Sequence, residues 1–107
     1  MNNKIIPNDL NWTEGKVKNF FGKGLLDLKN GSVKLVKINA GAEYPLHIHP
    51  DKTEYIFVVQ GELSCTIGEE KCKGKVGDFF IFPQNIFHAL ANHSQHECIV
   101  LVGAIKI

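Results

Sequence analysis

Residues that turn or break a chain recur roughly every 8 to 12 positions along this sequence, with short blocks of β-branched and aromatic residues between them. No stretch keeps an apolar period of 3.6 for more than a turn or two, so no long amphipathic helix is expected. Ser32-Val-Lys-Leu-Val-Lys-Ile38 follows the turn signal Lys29-Asn30-Gly31. Tyr55-Ile-Phe-Val-Val59 is a dense β-forming block that ends at Gly61. Leu63, Cys65 and Ile67 alternate with Glu62, Ser64 and Thr66, the period-2 pattern of a strand with one buried face. Phe79–Phe82 runs into Pro83, and Glu97–Val102 makes a last apolar strand. This rhythm belongs to a sandwich or barrel, and the fold class is all-β. Residues 1–14, with Pro7 and Trp12, read as an arm packed on the barrel or on a second subunit.

A length of 107 residues points to a single domain, and a chain this short gains from closing a barrel or forming a dimer. The net charge is +1, and no Lys/Arg cluster makes a phosphate-binding stripe, so nucleic acid is not expected as a partner. The densest charge run, Glu69–Lys75, sets two glutamates beside three lysines and reads as a solvated hairpin. No apolar run approaches the ~20 residues that span a bilayer, and the first residues lack a signal peptide's apolar core. The three cysteines, Cys65, Cys72 and Cys98, form no Cys-x-x-Cys pair. The expectation is a reduced, cytoplasmic protein with free, mostly buried thiols and no membrane partner.

Against this background one group of side chains stands apart. His47 and His49 are two residues apart, so on extended backbone both imidazoles leave one face. Pro45 and Pro50 bracket them, and each restricts the residue before it to extended conformations. Glu54 follows the polar segment Asp51-Lys52-Thr53, read as a turn, and begins the next strand. His88 lies beyond Pro83 on a separate strand. Neutral imidazoles and a carboxylate suit a divalent transition metal: iron, manganese, nickel, zinc or copper. A single histidine is ordinarily a hydrogen-bonded structural group, but two on one face followed by a glutamate and a third histidine make a metal site the better reading. His93 and His96 flank the loop Asn92–Glu97 and read instead as a solvated turn. Tyr44, Tyr55 and Cys65 are the candidate catalytic groups outside the ligands, each with packing as its ordinary role. Ile56, Val58, Leu63, Cys65 and Ile67 are expected to face the interior. Further bulk is expected from Phe79 or Phe80 and from Phe82, Phe87 and Leu90.

The two segments that carry these residues resemble the signature motifs of the cupin superfamily. Residues 41–61 place Gly41, His47, His49, Glu54 and Gly61 at every fixed point of the first motif. Residues 77–92 place Gly77, Pro83, His88 and Asn92 at those of the second, with Asn85 where the family usually has glycine. Asparagine tolerates left-handed backbone better than other non-glycine residues, so the turn is expected to survive. The resemblance implies a small double-stranded β-helix (jelly-roll) barrel, often a homodimer, with a metal held by His47, His49, Glu54 and His88. Four protein ligands leave one or two positions on such a metal for a small-molecule substrate or ligand. The activity implied is that of a metalloenzyme, dioxygenase-like, on a small oxygenated or chelating substrate. The alternatives are a Lewis-acid isomerase or lyase for sugars and uronates, and a non-catalytic metal or ligand sensor.

Overall fold

The computed structural model describes residues 3–107; Met1 and Asn2, the first two residues of the expected arm, lie outside them. The ten strands among the described residues are β1 (Thr13–Glu14), β2 (Phe20–Leu28), β3 (Gly31–Ile38), β4 (Glu43–His47), β5 (Lys52–Gln60), β6 (Leu63–Ile67), β7 (Glu70–Gly74), β8 (Phe79–Phe82), β9 (His88–Ala91) and β10 (Cys98–Lys106). They form two antiparallel sheets, one ordered β1-β2-β3-β10-β5-β8 and the other β4-β9-β6-β7. The chain crosses between sheets at β3–β4, β4–β5, β5–β6, β7–β8, β8–β9 and β9–β10. This is the jelly-roll barrel expected from the motifs. No helix among the described residues is long and apolar enough to cross a membrane.

Period-2 alternation decides what each strand buries. In β5, Ile56 and Val58 point inward while Phe57 and Val59 point out, and β10 matches them with Val100 and Val102 inside. The register pairs Ile56 with Val102 and Val58 with Val100. The four-stranded sheet closes the core with Leu63 and Cys65, and Phe82 and Ile38 complete it. Each such side chain, fully removed from water, contributes about 1.5–3 kcal/mol.

Two expectations are corrected, and one strand is added to those expected. The strand β5 begins at Lys52, so Lys52 and Thr53 are strand rather than turn, and Glu54 is its third residue. Phe80 and Phe82 face inward, whereas Phe79 and Phe87 are half exposed and add no bulk to the interior. The long strand β2 has no clear announcement in the sequence, because Gly22 and Gly24 interrupt its β-forming residues and a bulge between Gly24 and Leu26 breaks the alternation.

The arm packs on its own barrel. Residues Pro7–Asp9 form a 3-10 turn whose Pro7 carbonyl accepts a 2.9 Å hydrogen bond from Lys23 Nζ. Lys23 and Lys37 both lie over the Trp12 ring, at 4.4 and 5.1 Å from its centroid.

Candidate metal centre

The register of β4 against β9 sets His47 directly opposite His88, so two imidazoles from distant segments meet across one sheet. Their ring centroids are 4.2 Å apart. His49 lies just past the end of β4, where the backbone leaves the sheet. Its carbonyl accepts a 2.9 Å hydrogen bond from the Asn85 amide, which ties the histidine segment to the turn before β9. Asn85 has φ of 64°, the left-handed conformation expected of it. The Gln84 backbone N–H adds a second link, from the same turn to β5, by donating to Thr53 Oγ1 at 3.2 Å.

Glu54 reaches this cluster from the facing sheet. Its Oε1 lies 3.1 Å from His49 Nε2 and 3.5 Å from His88 Nε2, while Oε2 is 3.7 Å from Lys52 Nζ. One ligand atom from each of His47, His49, Glu54 and His88 lies within 4.8 Å of the others. The tautomers suit a metal. His47 Nδ1 is 2.8 Å from the Pro45 carbonyl, which can only accept, so Nδ1 donates and leaves the Nε2 lone pair free. His88 Nδ1 makes a longer approach, 3.4 Å, to the Ile86 carbonyl two residues back.

Two of the groups, Glu54 and His49, shift in the direction that role asks of them. Burial pushes the Glu54 carboxyl upward, but the hydrogen bond from His88 and the charges of Lys52, His49 and His88 outweigh it and leave the group below its ordinary range. For His49 burial dominates and lowers its affinity for a proton, with Glu54 only partly opposing. An ionised carboxylate and neutral imidazoles, aimed at one point, are what iron, manganese, nickel, zinc or copper requires of four donors.

The centre opens into a cavity of about 460 Å3. Ile56, Phe82, Leu90, Val100 and Val102 make its apolar wall, and Lys16, Lys34 and Lys52 line it as cations. The contributions of Thr13, Lys16, Val17 and Phe20 were missed by sequence reasoning, because they come from the β1–β2 region that lacks a clear strand pattern. A larger depression of about 690 Å3 lies against β4, β6, β7 and β9 and includes none of the four converging residues, all of which line the smaller cavity.

The remaining candidates separate. Tyr44 lines the cavity and packs its ring 4.8 Å from that of His47, with Phe20 edge-on behind it. Tyr55 is displaced from the site by alternation, since Glu54 points in and its neighbour must point out; it stacks on Phe79 and covers Gly103. Cys65 is buried in the core opposite Cys72 and outside the converging group. Burial and the neighbouring Cys72 push its thiol up to about 12, so it stays protonated. His93 pairs with Glu43 at 3.6 Å on exposed surface, and His96 is exposed, both as expected of a solvated turn. Asn92 is fully buried. Its Nδ2 donates to the carbonyls of Ile38 and His96, and its Oδ1 accepts from the Ser94 amide and hydroxyl.

Comparison with known proteins gives one consistent picture. The family model described as "Cupin domain" matches residues 34–103. Germin-like protein subfamily 2 member 2 of Arabidopsis thaliana is 34% identical over 77 residues, 65% of this chain and 35% of that protein. Germin-like protein 8-14 of Oryza sativa subsp. japonica is 31% identical over 78 residues, 67% of this chain and 37% of that protein. The match therefore spans little more than a third of either relative. Among solved structures, KdgF from Halomonas sp. superposes with a TM-score of 0.87 at 19% identity, covering 100% of this chain and 96% of that one. A predicted oxalate decarboxylase from Thermotoga maritima gives 0.89 at 15% identity, covering 97% and 99%. A sugar phosphate isomerase from Silicibacter pomeroyi gives 0.83 at 21%, covering 97% and 76%. At these identities the likeness is one of fold.

Proposed function

The chain belongs to the cupin domain family, and on that premise we propose that it is a metal-dependent enzyme, dioxygenase-like, acting on a small chelating, oxygen-rich substrate in the barrel. The observation that carries this reading is the convergence of three imidazoles and one carboxylate within 4.8 Å at the floor of an apolar-walled cavity. A divalent metal bound there supplies Lewis acidity toward a chelating substrate and, where redox-active, electrons for reaction with dioxygen. The protein's own residues do the rest. The Pro45 carbonyl holds the His47 ring in its donor tautomer, and Glu54 brings the negative charge that offsets the cation. The wall of Ile56, Phe82 and Leu90 keeps bulk water from the reacting atoms. Tyr44, packed on His47, steadies that ring from the side.

A second reading, a Lewis-acid isomerase or lyase, draws support from the lysines. Among the described residues Lys16, Lys34 and Lys52 line the cavity while Glu54 is the one carboxylate that does, a balance that favours an anionic substrate such as a sugar acid. The three free thiols fit work in a reducing, cytoplasmic setting.

The test is metal analysis of protein prepared without chelator, followed by O2 uptake after anaerobic Fe2+ loading, with enols, thiols and phenols as substrates. Near-stoichiometric metal with iron-dependent uptake is the expected result. Turnover of sugar acids with Zn2+ and no uptake would move the reaction to the second reading. Tight metal binding with no turnover in either assay would make the protein a sensor, and no metal acquired on loading would overturn the site.

A further inference from the structure

Two of the three thiols face each other away from the metal centre. The β6–β7 register sets Cys65 directly opposite Cys72, so both side chains leave the same face of the sheet. Residues so placed in an antiparallel pair have Cα atoms about 4.5–5.5 Å apart, inside the ~4.4–6.8 Å that a disulfide spans. Both are free thiols. Cys65 is buried, whereas Cys72 lies on the edge strand β7 and is only partly buried. Both line the depression of about 690 Å3 against this sheet. Along the same row Cys65 stands opposite Leu90, and Leu90 opposite Tyr44. The pair thus occupies the far end of an inward-facing row whose other end packs on His47, and it includes none of the four converging residues. Cys98 is the contrast: it is fully buried on β10 of the other sheet, and its register partner on β3 is Ile38.

We propose that Cys65 and Cys72 form a reversible dithiol–disulfide couple, a site of oxidation by hydrogen peroxide separate from the metal centre. Cys72 reacts first, because it is the thiol-bearing residue that solvent reaches and peroxide is small enough to enter the depression. Its thiolate sulfur attacks one peroxide oxygen, the O–O bond breaks, and hydroxide leaves as Cys72 becomes a sulfenic acid. Cys65 Sγ then attacks Cys72 Sγ. The S–S bond forms, the S–O bond breaks, and the departing hydroxide takes the Cys65 proton as water. In sum, two thiols and one peroxide give one disulfide and two waters, with two electrons passing from sulfur to oxygen. The Cys65 proton, which burial holds on its sulfur, is released only as that bond closes. Strand pairing keeps the second sulfur within reach, so closure outruns further oxidation of the sulfenic acid. A bond at the sheet edge stays open to attack by small thiols, which makes the couple reversible.

The test treats the full chain, reduced and then freed of reductant, with hydrogen peroxide before unfolding it and alkylating it with iodoacetamide. Untreated protein should take up three alkyl groups, one at each cysteine. Treated protein should take up one, at Cys98, and yield a peptide pair that links Cys65 to Cys72; reduced glutathione should then return all three thiols. Cys65→Ser should stop at a Cys72 sulfenic acid that dimedone captures. Cys72→Ser should keep both remaining thiols open to alkylation at the same peroxide dose. His49→Ala, which lacks one donor of the metal centre, should oxidise as the wild type does. Loss of the reaction in that variant would mean that it runs through the metal, and would overturn the proposal. So would three alkyl groups after treatment, a bond that includes Cys98 or a second chain, or a disulfide that glutathione leaves closed. Should a serine variant not fold, the wild-type peptide map decides the matter by itself.

Discussion

Each imidazole of the centre is held by something outside the group of four. The Pro45 carbonyl fixes the His47 ring, the Asn85 amide anchors the His49 backbone, and Phe82 packs 4.8 Å from the His88 ring. Such supporting contacts typically govern metal affinity by about 10- to 100-fold, and loss of a ligand itself costs more. His49→Ala and His88→Ala should therefore each weaken metal binding by more than about a hundredfold while the strand content stays as it is. Metal content measured beside circular dichroism checks this, and wild-type stoichiometry in both variants would remove the assignment. The converging residues were legible from donor type and spacing combined, because two histidines on one face, a following glutamate and a third histidine in a second motif form a joint pattern. The fates of Tyr44, Tyr55 and Cys65 were not, since each depends on which face its strand buries and on what the facing sheet brings opposite.

Turns carry the elements into register, and two glycines there make a controlled comparison. Gly41 and Gly61 share a φ of 81°, so an added side chain is strained at either position. A Cβ at Gly41 meets nothing within 4 Å, whereas at Gly61 it would stand 2.7 Å from the Glu97 carbonyl oxygen and 3.0 Å from Cys98 Cα. Gly41→Ala should then cost about 1 kcal/mol of stability from backbone strain alone. At Gly61 the same change must also push β10 away from the end of β5, for a total of about 3 kcal/mol or more. Urea denaturation of the two variants decides it, and equal losses would mean that β10 yields freely at Cys98. The element that escaped the sequence, β2, did so because glycines and a bulge dilute its alternation, yet it pairs along its length with β3 and supplies part of the cavity wall.

The core of the whole molecule includes two thiols whose ionisation opposes folding. Burial pushes the Cys98 thiol from 9.0 up to about 11 and, with Cys72 adding to it, that of Cys65 up to about 12. A folded-state pKa above the unfolded value means that the native state keeps the proton longer. The stabilising contribution is thus complete below pH 9 and is lost as pH rises toward 11 and 12. Between pH 9 and 11, Cys98 alone should steepen the fall in stability by about 1.4 kcal/mol per pH unit. Cys98→Ala, despite the small cavity it leaves, should show a shallower slope by that amount in urea unfolding at pH 8, 9 and 10.5; identical slopes would mean that the thiol ionises as freely when folded. The amino-acid sequence by itself determined the all-β class, the jelly-roll motifs and the identity of the four converging side chains, since alternation, turn chemistry and short-range spacing act over a few residues. Only the tertiary structure decided that Glu54 meets His49 and His88 from the opposite sheet, that Lys16 of the β1–β2 connection, Lys34 of β3 and Lys52 of β5 line one cavity, and that Phe57, Phe79 and Ile81 share one uncovered face. Those outcomes rest on register between strands far apart in the chain, and a single-residue slip would turn every one of them to the other side.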